Sequence, residues 1–479
     1  MYWCEIGLTE PAFTFTVPTT ITKRNDLATS ILQQLRTYRD KRLMAIFCLG
    51  MASGFPWVLI GSALSAWLKE EGLSRSAIGL FGVIFVAYSI NFLWSPLLDR
   101  LKPLCLTQRR GWIFQTQVCI IALAFVMSLL AIPDQLYWMA VVGLGIAIAS
   151  ATQDIAIDAY RVDAIAVHER ETLSGASAMA TAGWWTGYGG LGAIPFFLID
   201  HPAFTWSDIY LVMAGVMLAL ATTVWWIEEP NTNRSEYQQA AQANYLYALS
   251  GKSGQAPTLF QQGSAWLAVT LIEPFREFFN RNGVKLALSI LLFIFLFKIG
   301  EAFLGRMSIV FYKEVGFSNS DIGTYSKLLN WWVTIVFAII GGMVNMRYGI
   351  YRGLLLGGIA MASSNLMFSA MALVGPNKAL FAATVFVDGF TAAWSSVAMV
   401  AFISLLCNRA FSATQYALMA SIGVLGRTLL ASYSGFIVDG LDGNWALFFA
   451  LTALMVLPSL AFLYYIREDI QRLETQATQ

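Results

Sequence analysis

The chain is poor in charge and in residues that form disulfides or metal sites. Only 12% of its 479 residues are Asp, Glu, Lys or Arg and 57% are hydrophobic, whereas soluble domains carry about 25% charged residues. Five cysteines are scattered without C-x-x-C spacing, and two histidines fall in predicted loops, so we expect neither a disulfide framework nor a metal site. A net charge of +1 without a basic tract gives no argument for a nucleic-acid partner. The composition predicts a polytopic membrane protein surrounded by lipid.

Motifs of nucleotide-driven or enzymatic chemistry are also missing from the sequence. No phosphate-binding G-x-x-x-x-G-K-[ST] loop appears, which argues against an ATP-driven pump. Neither H-E-x-x-H nor a paired nucleophile and histidine stands out. We therefore predict that the protein is not an enzyme and needs no cofactor. The basic segment before a first apolar span long enough to cross a membrane argues against a cleaved signal peptide.

Twelve apolar stretches recur along the chain, each near the roughly 20 residues that a helix needs to cross a bilayer. Basic residues collect in the tail before the first stretch, after every even-numbered stretch and at the C-terminus. The positive-inside rule therefore predicts that both termini lie in the cytoplasm. The predicted spans are 43–67, 76–97, 112–132, 136–160, 172–195, 207–227, 284–311, 321–345, 352–374, 379–406, 413–437 and 445–466.

One long polar segment interrupts this pattern between the sixth and seventh spans. It contains NTNRSEYQQAAQANY and GKSGQAP, which are typical of a linker, and the amphipathic piece LIEPFREFFNRNG, which we expect at the membrane surface. The predicted parts are an N-terminal tail (1–42), a six-helix bundle (43–227), a cytoplasmic linker (228–283), a second six-helix bundle (284–467) and a C-terminal tail (468–479).

The two bundles are related by an internal repeat. LKEEGLSRSAIG (68–79) and YKEVGFSNSDIG (312–323) are identical at seven of twelve positions and lie 244 residues apart. Each copy joins the first span of a bundle to the second, in the same membrane sense. Such a repeat is typical of bundles related by an axis along the membrane normal, and in this the chain resembles the major facilitator superfamily. We predict an all-α major facilitator fold with 12 transmembrane helices in two six-helix bundles.

The loop after the second span also resembles that superfamily. LLDR (97–100) followed by QRRGW (108–112) occupies the place of its Gly-x-x-x-Asp-Arg-x-Gly-Arg-Arg signature, although the leading Gly is missing and the loop is longer. A carboxylate at a helix end can accept from basic loop groups and lock one face of a transporter. The residues that we assign to this conformational gate are Asp99, Arg100, Arg109 and Arg110.

The fourth span carries two acids within SATQDIAIDAY (150–160). Asp154 and Asp158 lie four residues apart, so they share one face of a helix. An Asp at mid-helix is unfavourable in lipid by roughly 2.5–3.5 kcal/mol, so this face needs a polar interior, a water-filled cavity or a proton. The alternative is that both residues lie near the cytoplasmic end and pair with loop arginines.

The second bundle carries six more charges within its spans. They are Lys298, Glu301, Arg306, Lys327, Asp388 and Arg427. Lys298 and Glu301 share a helix face, and the repeat aligns them with Gly54 and Trp57, so the fold does not itself require these charges. Either the charges pair to hold the bundles together, although buried ion pairs contribute little net stability, or they line a substrate or proton pathway.

Tryptophans at mid-depth have two interpretations. Trp331 and the WWTGYGGLG segment that begins at Trp184 could line a cavity and face a sugar ring. Tight helix packing explains the glycines equally well. The same segment of the chain therefore predicts either a binding surface or a close helix contact.

Several segments resemble the AmpG-type muropeptide permeases of the major facilitator superfamily. They are LGMASGFP (49–56), FLWSPLLDR (92–100), RRGW (109–112), SATQDIAIDAY (150–160), FKIGEAF (297–303) and LLCNRAFSATQYAL (405–418). The matching functional positions are Gln153, Asp154, Asp158, Lys298, Glu301, Lys327, Asp388 and Arg427. Glu301 stands where relatives can have Asp, and Asp388 where they can have Glu, which preserves the charge at both positions.

This resemblance implies a proton-driven importer in the bacterial inner membrane. Family members bring anhydro-muropeptides, GlcNAc-anhydroMurNAc with or without peptide, from the periplasm to the cytoplasm for peptidoglycan recycling. In some bacteria that flux controls β-lactamase induction and thereby β-lactam resistance. The resemblance implies protons as the coupling ion, and we expect a monomer.

The resemblance and the charge pattern together assign candidate roles. The candidate proton carriers are Asp154, Asp158, Glu301 and Asp388, and the candidate substrate contacts are Gln153, Lys298, Lys327, Arg427, Trp184 and Trp331. One alternative is a permease of the same fold for another anionic or conjugated solute, such as a siderophore or acetyl-CoA. A second alternative is a membrane sensor that binds muropeptide without transporting it.

Overall fold

The computed structural model describes residues 34–73, 81–131, 134–199, 201–232, 234–250, 258–318, 321–431 and 433–476. Within these ranges every regular element is a helix, so the predicted all-α class is confirmed. Among the described residues, nine helices are long and apolar enough to cross a membrane. Helical segments also occupy the described residues of the remaining three predicted spans, where π or 3₁₀ turns or an undescribed residue divide the helix; residues 76–80 of the second span lie outside the described residues.

The first half of the chain supplies six membrane helices. They are α1 (Lys41–Glu70), α2 (81–100), α3 (Gln108–Ser128), α4 (Leu136–Ala164), α5 (170–199) and α6 (Trp206–Trp226). The predicted linker contributes two helices, α7 (Arg234–Ser250) and α8 (259–282). The remaining helices are α9 (Val284–Val315), α10 (322–348), α11 (Ile350–Val374), α12 (Lys378–Leu406), α13 (in two parts, Ser412–Ala431 and Ser434–Gly440), α14 (Trp445–Tyr465) and α15 (Arg467–Gln476).

Two helices change their winding where the sequence contains helix breakers. In α1 the regular helix ends at Gly54, directly before Phe55-Pro56, and Val58–Ala63 is π-helical. In α5 the glycine-rich stretch Thr186–Gly190 is also π-helical. Proline removes a backbone donor and glycine lowers helix propensity, so both positions favour a local change of pitch. The altered turn of α5 directly follows Trp184 and Trp185, which line the central cavity described below.

Small residues bring α1 and α5 close together. A Cβ atom at Gly183 would overlap the carbonyl oxygen of Phe47, and one at Gly187 would overlap the carbonyl of Met51. Glycine at these positions lets two membrane helices approach backbone to backbone, which is the usual role of small residues in lipid. Gly187 of the WWTGYGGLG segment, together with the preceding Gly183, therefore mediates a tight contact between α1 and α5.

The internal repeat extends from sequence to side-chain contacts. Trp206 Nε1 donates to Glu70 Oε2 at 2.6 Å, and Trp445 Nε1 donates to Glu314 Oε2 at 2.7 Å. Glu70 and Glu314 occupy the same position of the repeated segment, and each tryptophan begins the sixth membrane helix of its half. The same hydrogen bond therefore joins the first and sixth helices in both bundles.

A second pair of contacts also recurs in both halves. Glu229, just after α6, accepts from the backbone N–H of Arg109 at 2.7 Å and of Arg110 at 3.1 Å. Glu474, in α15 after α14, accepts from the backbone N–H of Tyr351 at 2.9 Å. A carboxylate at a helix N-terminus satisfies backbone donors that lack an intrahelical partner. Each bundle thus caps its third membrane helix from the segment that follows its sixth.

We predict that Gly183→Ala destabilises the protein by about 1–3 kcal/mol, because its methyl group meets backbone that cannot move aside. The matched control is Gly215→Ala in α6, where a Cβ would meet nothing within 4 Å. Apparent melting temperature in detergent micelles is the measurement. A Gly183→Ala variant that melts together with the control would show that the α1–α5 approach tolerates side chains.

Candidate functional site

A cavity of about 330 Å³ lies between the two halves of the chain. Helices α1, α4 and α5 supply one wall, and α12 and α13 supply the other. Its lining consists of Gly50, Ser53, Asp154, Ile157, Asp158, Arg161, Ala180, Thr181, Trp184, Trp185, Ser396, Val400, Tyr416 and Arg427. An adjoining hollow of about 190 Å³ shares four of these residues and reaches Lys298. A larger hollow of about 460 Å³ lies between the linker helices α7 and α8, away from these charges.

The first-half wall carries the two acids of α4, and their partners differ. Asp154 accepts a hydrogen bond from the hydroxyl of Ser53 at 2.6 Å. Asp158 forms an ion pair with Arg161 at 2.7 Å. Arg161 also lies 4.8 Å from the ring centroid of Tyr416 in α13, so Asp158 belongs to a contact between the halves. The partner of Asp154 is neutral and leaves its charge uncompensated, whereas that of Asp158 is a cation.

Aromatic rings continue this wall beyond the acids. Trp184 stacks on Tyr188 with ring centroids 5.2 Å apart and meets the edge of Trp57 at 5.8 Å. Trp57 in turn lies 4.5 Å from Tyr88. Trp184 is partly exposed and lines the cavity. The wall therefore offers an apolar aromatic face beside a carboxylate, an arrangement suited to a sugar ring bearing polar groups.

The second-half wall contains a lysine that already has partners. Lys298 Nζ lies 2.7 Å from Glu301 Oε2 and 2.6 Å from the hydroxyl oxygen of Ser396. Asp388, on the same α12 helix as Ser396, accepts from the hydroxyl of Ser364 at 3.1 Å and is not a lining residue of either hollow. Lys298 and Glu301 thus neutralise each other, and Asp388 has a neutral hydrogen-bond donor.

Arg427 differs from the other charged residues of the cavity. It lines both hollows and its side chain is exposed to them. Within the part of the chain that the structure describes, its guanidinium makes neither a hydrogen bond nor an ion pair. A guanidinium presents five donors in a planar fork that matches carboxylates. Arg427 is therefore available to an anionic group in the cavity.

Three of the predicted substrate contacts lie elsewhere or cannot be placed. Gln153 is fully buried and donates to the carbonyl of Ala52 at 2.8 Å, so it holds α4 against α1 rather than lining the cavity. Trp331 donates to the carbonyl of Trp185 at 3.2 Å and packs on Gly189, so it joins α10 to α5. The side chain of Lys327 lies outside the described residues.

Away from the cavity, a buried charge network joins the two halves of the chain. We call this contact between the ends of α2 and α4 and the start of α13 the seam. Arg109 donates to Asp99 at 2.7 Å and to Asp163 at 2.8 Å, and all three side chains are almost completely buried. The seam lies at the ends of α2 and α4 that sequence analysis places in the cytoplasm. Buried charges of this kind require partners, because an unpaired ion in a low-dielectric interior is strongly unfavourable.

The network crosses from the first half to the second. Ser412 accepts from Arg109 at 2.7 Å and donates to Asp163 at 2.8 Å. Asp99 accepts from the backbone N–H of Thr414 at 2.9 Å and from its hydroxyl at 2.8 Å. These contacts fasten the start of α13, which contains the FSATQ stretch, to the ends of α2 and α4.

Sequence analysis identified Asp99 and Arg109 but missed Asp163. Asp163 is five residues beyond Asp158, at the end of a span where a charge usually means a hydrated helix terminus. Arg100 and Arg110, the other two predicted gate residues, do not join this network. Arg100 donates to Gln242 of α7 at 2.7 Å, and Arg110 donates to the carbonyl of Val224 at 3.1 Å.

Comparisons with known proteins fit this architecture. No protein-family model matches the chain. The chain is 30% identical over 440 residues to the anhydromuropeptide permease of Escherichia coli (strain K12), covering 92% of this chain and 82% of that protein. It is also 30% identical over 438 residues to the putative transporter AmpG 4 of Rickettsia felis, covering 91% and 99%.

Solved structures show the fold. The major facilitator proton:xylose symporter XylE bound to 6-bromo-6-deoxy-D-glucose aligns with a TM-score of 0.62 at 14% identity, covering 88% of this chain and 94% of that one. The human organic anion transporter MFSD10 aligns with a TM-score of 0.59 at 15% identity, covering 88% and 98%. The predicted major facilitator fold is confirmed.

We predict that Asp163→Ala destabilises the protein by about 3–5 kcal/mol, because the change leaves buried arginine charge without its carboxylate. Asp134→Ala is the matched control, since Asp134 is exposed in the loop before α4. Apparent melting temperature, read from the loss of the monodisperse peak in detergent, compares the two variants. Equal melting would mean that water replaces the lost carboxylate and that the network is not a closed, buried one.

Proposed function

The chain belongs to the AmpG family of muropeptide permeases in the major facilitator superfamily, and from that premise we propose that it imports anhydro-muropeptides in symport with protons. It is a multi-pass transporter of the bacterial inner membrane, and its relatives are permeases, not enzymes. Transport runs from periplasm to cytoplasm by alternating access, with both termini in the cytoplasm.

The observation that carries this proposal is the unequal pairing of charges in the central cavity. Among the residues that the structure describes, Arg427 has no ion-pair or hydrogen-bond partner, and Asp154 accepts from the neutral hydroxyl of Ser53 and has no cationic partner. Charges left unpaired at membrane depth are unfavourable and are generally retained for a ligand or an ion. A muropeptide supplies carboxylates for the arginine, and a proton neutralises the acid.

The substrate contacts follow from the two walls of the cavity. Arg427 receives a peptide carboxylate through bidentate hydrogen bonds, and Trp184 packs against a sugar ring. Lys298 is already bound to Glu301 and Ser396, so it contributes to substrate binding only after that pair opens. Arg427 is therefore the primary anion site, and Lys298 is the secondary one.

Proton coupling offsets the electrical work of import. Moving a negative charge toward a negative interior is unfavourable by about 2.3 kcal/mol per 100 mV, and a co-transported proton cancels that term. Among the four candidate acids, Asp158 and Glu301 have cationic partners, whereas Asp154 and Asp388 accept from serine hydroxyls. We assign the proton to Asp154, because it also lines the cavity.

From the closed seam we infer the step of the transport cycle that this conformation represents. The buried Asp99–Arg109–Asp163 network joins the halves at the predicted cytoplasmic end, so the cavity is closed toward the cytoplasm. Binding of substrate and proton then precedes a separation of the halves at this seam. The arrangement supports an importer that loads from the periplasm.

Uptake into proteoliposomes tests the proposed function. Labelled GlcNAc-anhydroMurNAc-peptide supplied outside at acid pH is expected to accumulate inside, and a protonophore is expected to abolish that accumulation. Accumulation that persists with the protonophore would support muropeptide as the substrate and contradict proton coupling. Binding without uptake would support a sensor, and the absence of both binding and uptake would indicate a different solute.

Arg427→Gln is expected to weaken muropeptide binding about tenfold or more, because a charge-assisted hydrogen bond to a carboxylate contributes roughly 1.5–3 kcal/mol. Arg306→Gln is the matched control: Arg306 is exposed on α9 and does not line either hollow. Calorimetric titration of the detergent-solubilised protein with the disaccharide-peptide measures both. Equal affinities in the two variants would remove Arg427 from the site.

Asp154→Asn is expected to abolish pH-driven accumulation while retaining exchange of labelled for unlabelled substrate across the membrane, because exchange needs no net proton movement. Glu301→Gln provides the comparison at an acid that already has a cationic partner. If the Asp154→Asn variant accumulates substrate at the wild-type rate, Asp154 is not the proton carrier. If only Glu301→Gln loses pH-driven accumulation, Glu301 is the carrier instead.

A further inference from the structure

The linker helix α7 lies across the closed seam and contacts both halves of the chain. Arg234, its first residue, is only 8% exposed, and its guanidinium pairs with the Asp163 carboxylate that also binds Arg109. The same guanidinium donates to the carbonyl of Arg409 at 3.4 Å. One linker side chain therefore contacts the first half through α4 and the second half through the segment before α13.

Gln238, one turn further along α7, makes a second contact with both halves. Its amide nitrogen donates to the carbonyl of Asp99 at 3.3 Å and to the carbonyl of Ala410 at 3.0 Å. Its amide oxygen accepts from Arg100 at 3.2 Å. Gln238 is 6% exposed, so these bonds form away from bulk water. The linker thus satisfies polar groups on each side of the seam.

Arg234 also completes the charge balance of the buried network. Asp99 and Asp163 contribute two negative charges, and Arg109 and Arg234 contribute two positive charges. Without Arg234 the buried group would carry an excess negative charge, which a low-dielectric environment disfavours. A passive tether needs no buried ion pair, because its only requirement is to span the distance between the bundles.

We propose that α7 is a cytoplasmic latch, whose Arg234 and Gln238 must leave the seam before the two halves can separate. The inference rests on the alternating access of the proposed function. The linker is polar and lies outside the membrane spans, so Arg234 and Gln238 become hydrated once released. Release and return are therefore reversible, and the strength of these contacts sets the population of the cytoplasm-open state.

A cysteine of the protein itself can report on the seam. Cys407 is 3% exposed at the end of α12 and directly precedes Asn408 and Arg409 of the seam. Replacing the other four cysteines (Cys4, Cys48, Cys105 and Cys119) by Ala leaves Cys407 as the single thiol. The rate of its reaction with a maleimide in detergent then follows the population of molecules open at the seam.

In this background Arg234→Gln is expected to speed maleimide labelling of Cys407 roughly tenfold or more, as loss of a charge-assisted hydrogen bond predicts. Arg276→Gln is the matched control, because Arg276 belongs to the same linker but is exposed and contacts the ring and hydroxyl of Tyr245, away from the seam. Labelling at the same rate in both variants would overturn the proposal. The assay uses neither substrate nor a proton gradient, so its outcome is independent of what the protein transports.

A second thiol separates opening from unfolding. Ala63, fully buried near the opposite end of α1, is replaced by Cys in a protein that lacks all native cysteines. If α7 is a latch, Arg234→Gln leaves this thiol protected while exposing Cys407. If both thiols become reactive, the Gln238→Ala variant, which removes hydrogen bonds but no charge, is tested in the same way. Labelling of Cys407 alone then supports the latch, and a Cys407 that stays protected overturns it.

Discussion

The structure depends on one constraint, which is that a charge removed from bulk water needs either a partner in the protein or a ligand or proton to neutralise it. At the seam the constraint is met by pairing: Asp99, Arg109, Asp163 and the linker's Arg234 form a buried group of zero net charge. Such a group adds little to overall stability relative to apolar packing, but it is specific, because only one docking of the halves satisfies every member. That specificity makes the network suitable as a gate.

In the cavity the same constraint leads to the opposite outcome. Asp154 and Arg427 face a common space from different halves and lack protein counter-charges among the described residues. A substrate carboxylate can neutralise Arg427 and a proton can neutralise Asp154. Loading the cavity therefore removes the unpaired charges that disfavour its closure. The charges of the seam are paired within the protein, whereas those of the cavity await substrate and proton. This difference links binding to the change of conformation.

Hydropathy and the internal repeat were sufficient to predict the fold, because the bilayer sets the length of each span and the repeat relates one bundle to the other. The four-residue spacing of Asp154 and Asp158 predicted that they share a helix face, and both residues line the cavity, which was one of the alternatives left open. Gln153 shows the limit: it neighbours Asp154 in sequence, yet adjacent helical residues point about 100° apart, so it packs against α1. Asp163 and Arg234 escaped notice because burial of a helix end by a linker leaves no periodic signal in the sequence.

The measurement that tests the central claim most directly is the pH of a weakly buffered suspension of proteoliposomes when muropeptide is added without any imposed gradient. If the substrate binds Arg427 and enters together with a proton carried by Asp154, the external medium becomes more alkaline. A solute that the protein does not transport leaves the external pH unchanged. Muropeptide that enters without any change in external pH would contradict the link between the unpaired charges of the cavity and proton symport.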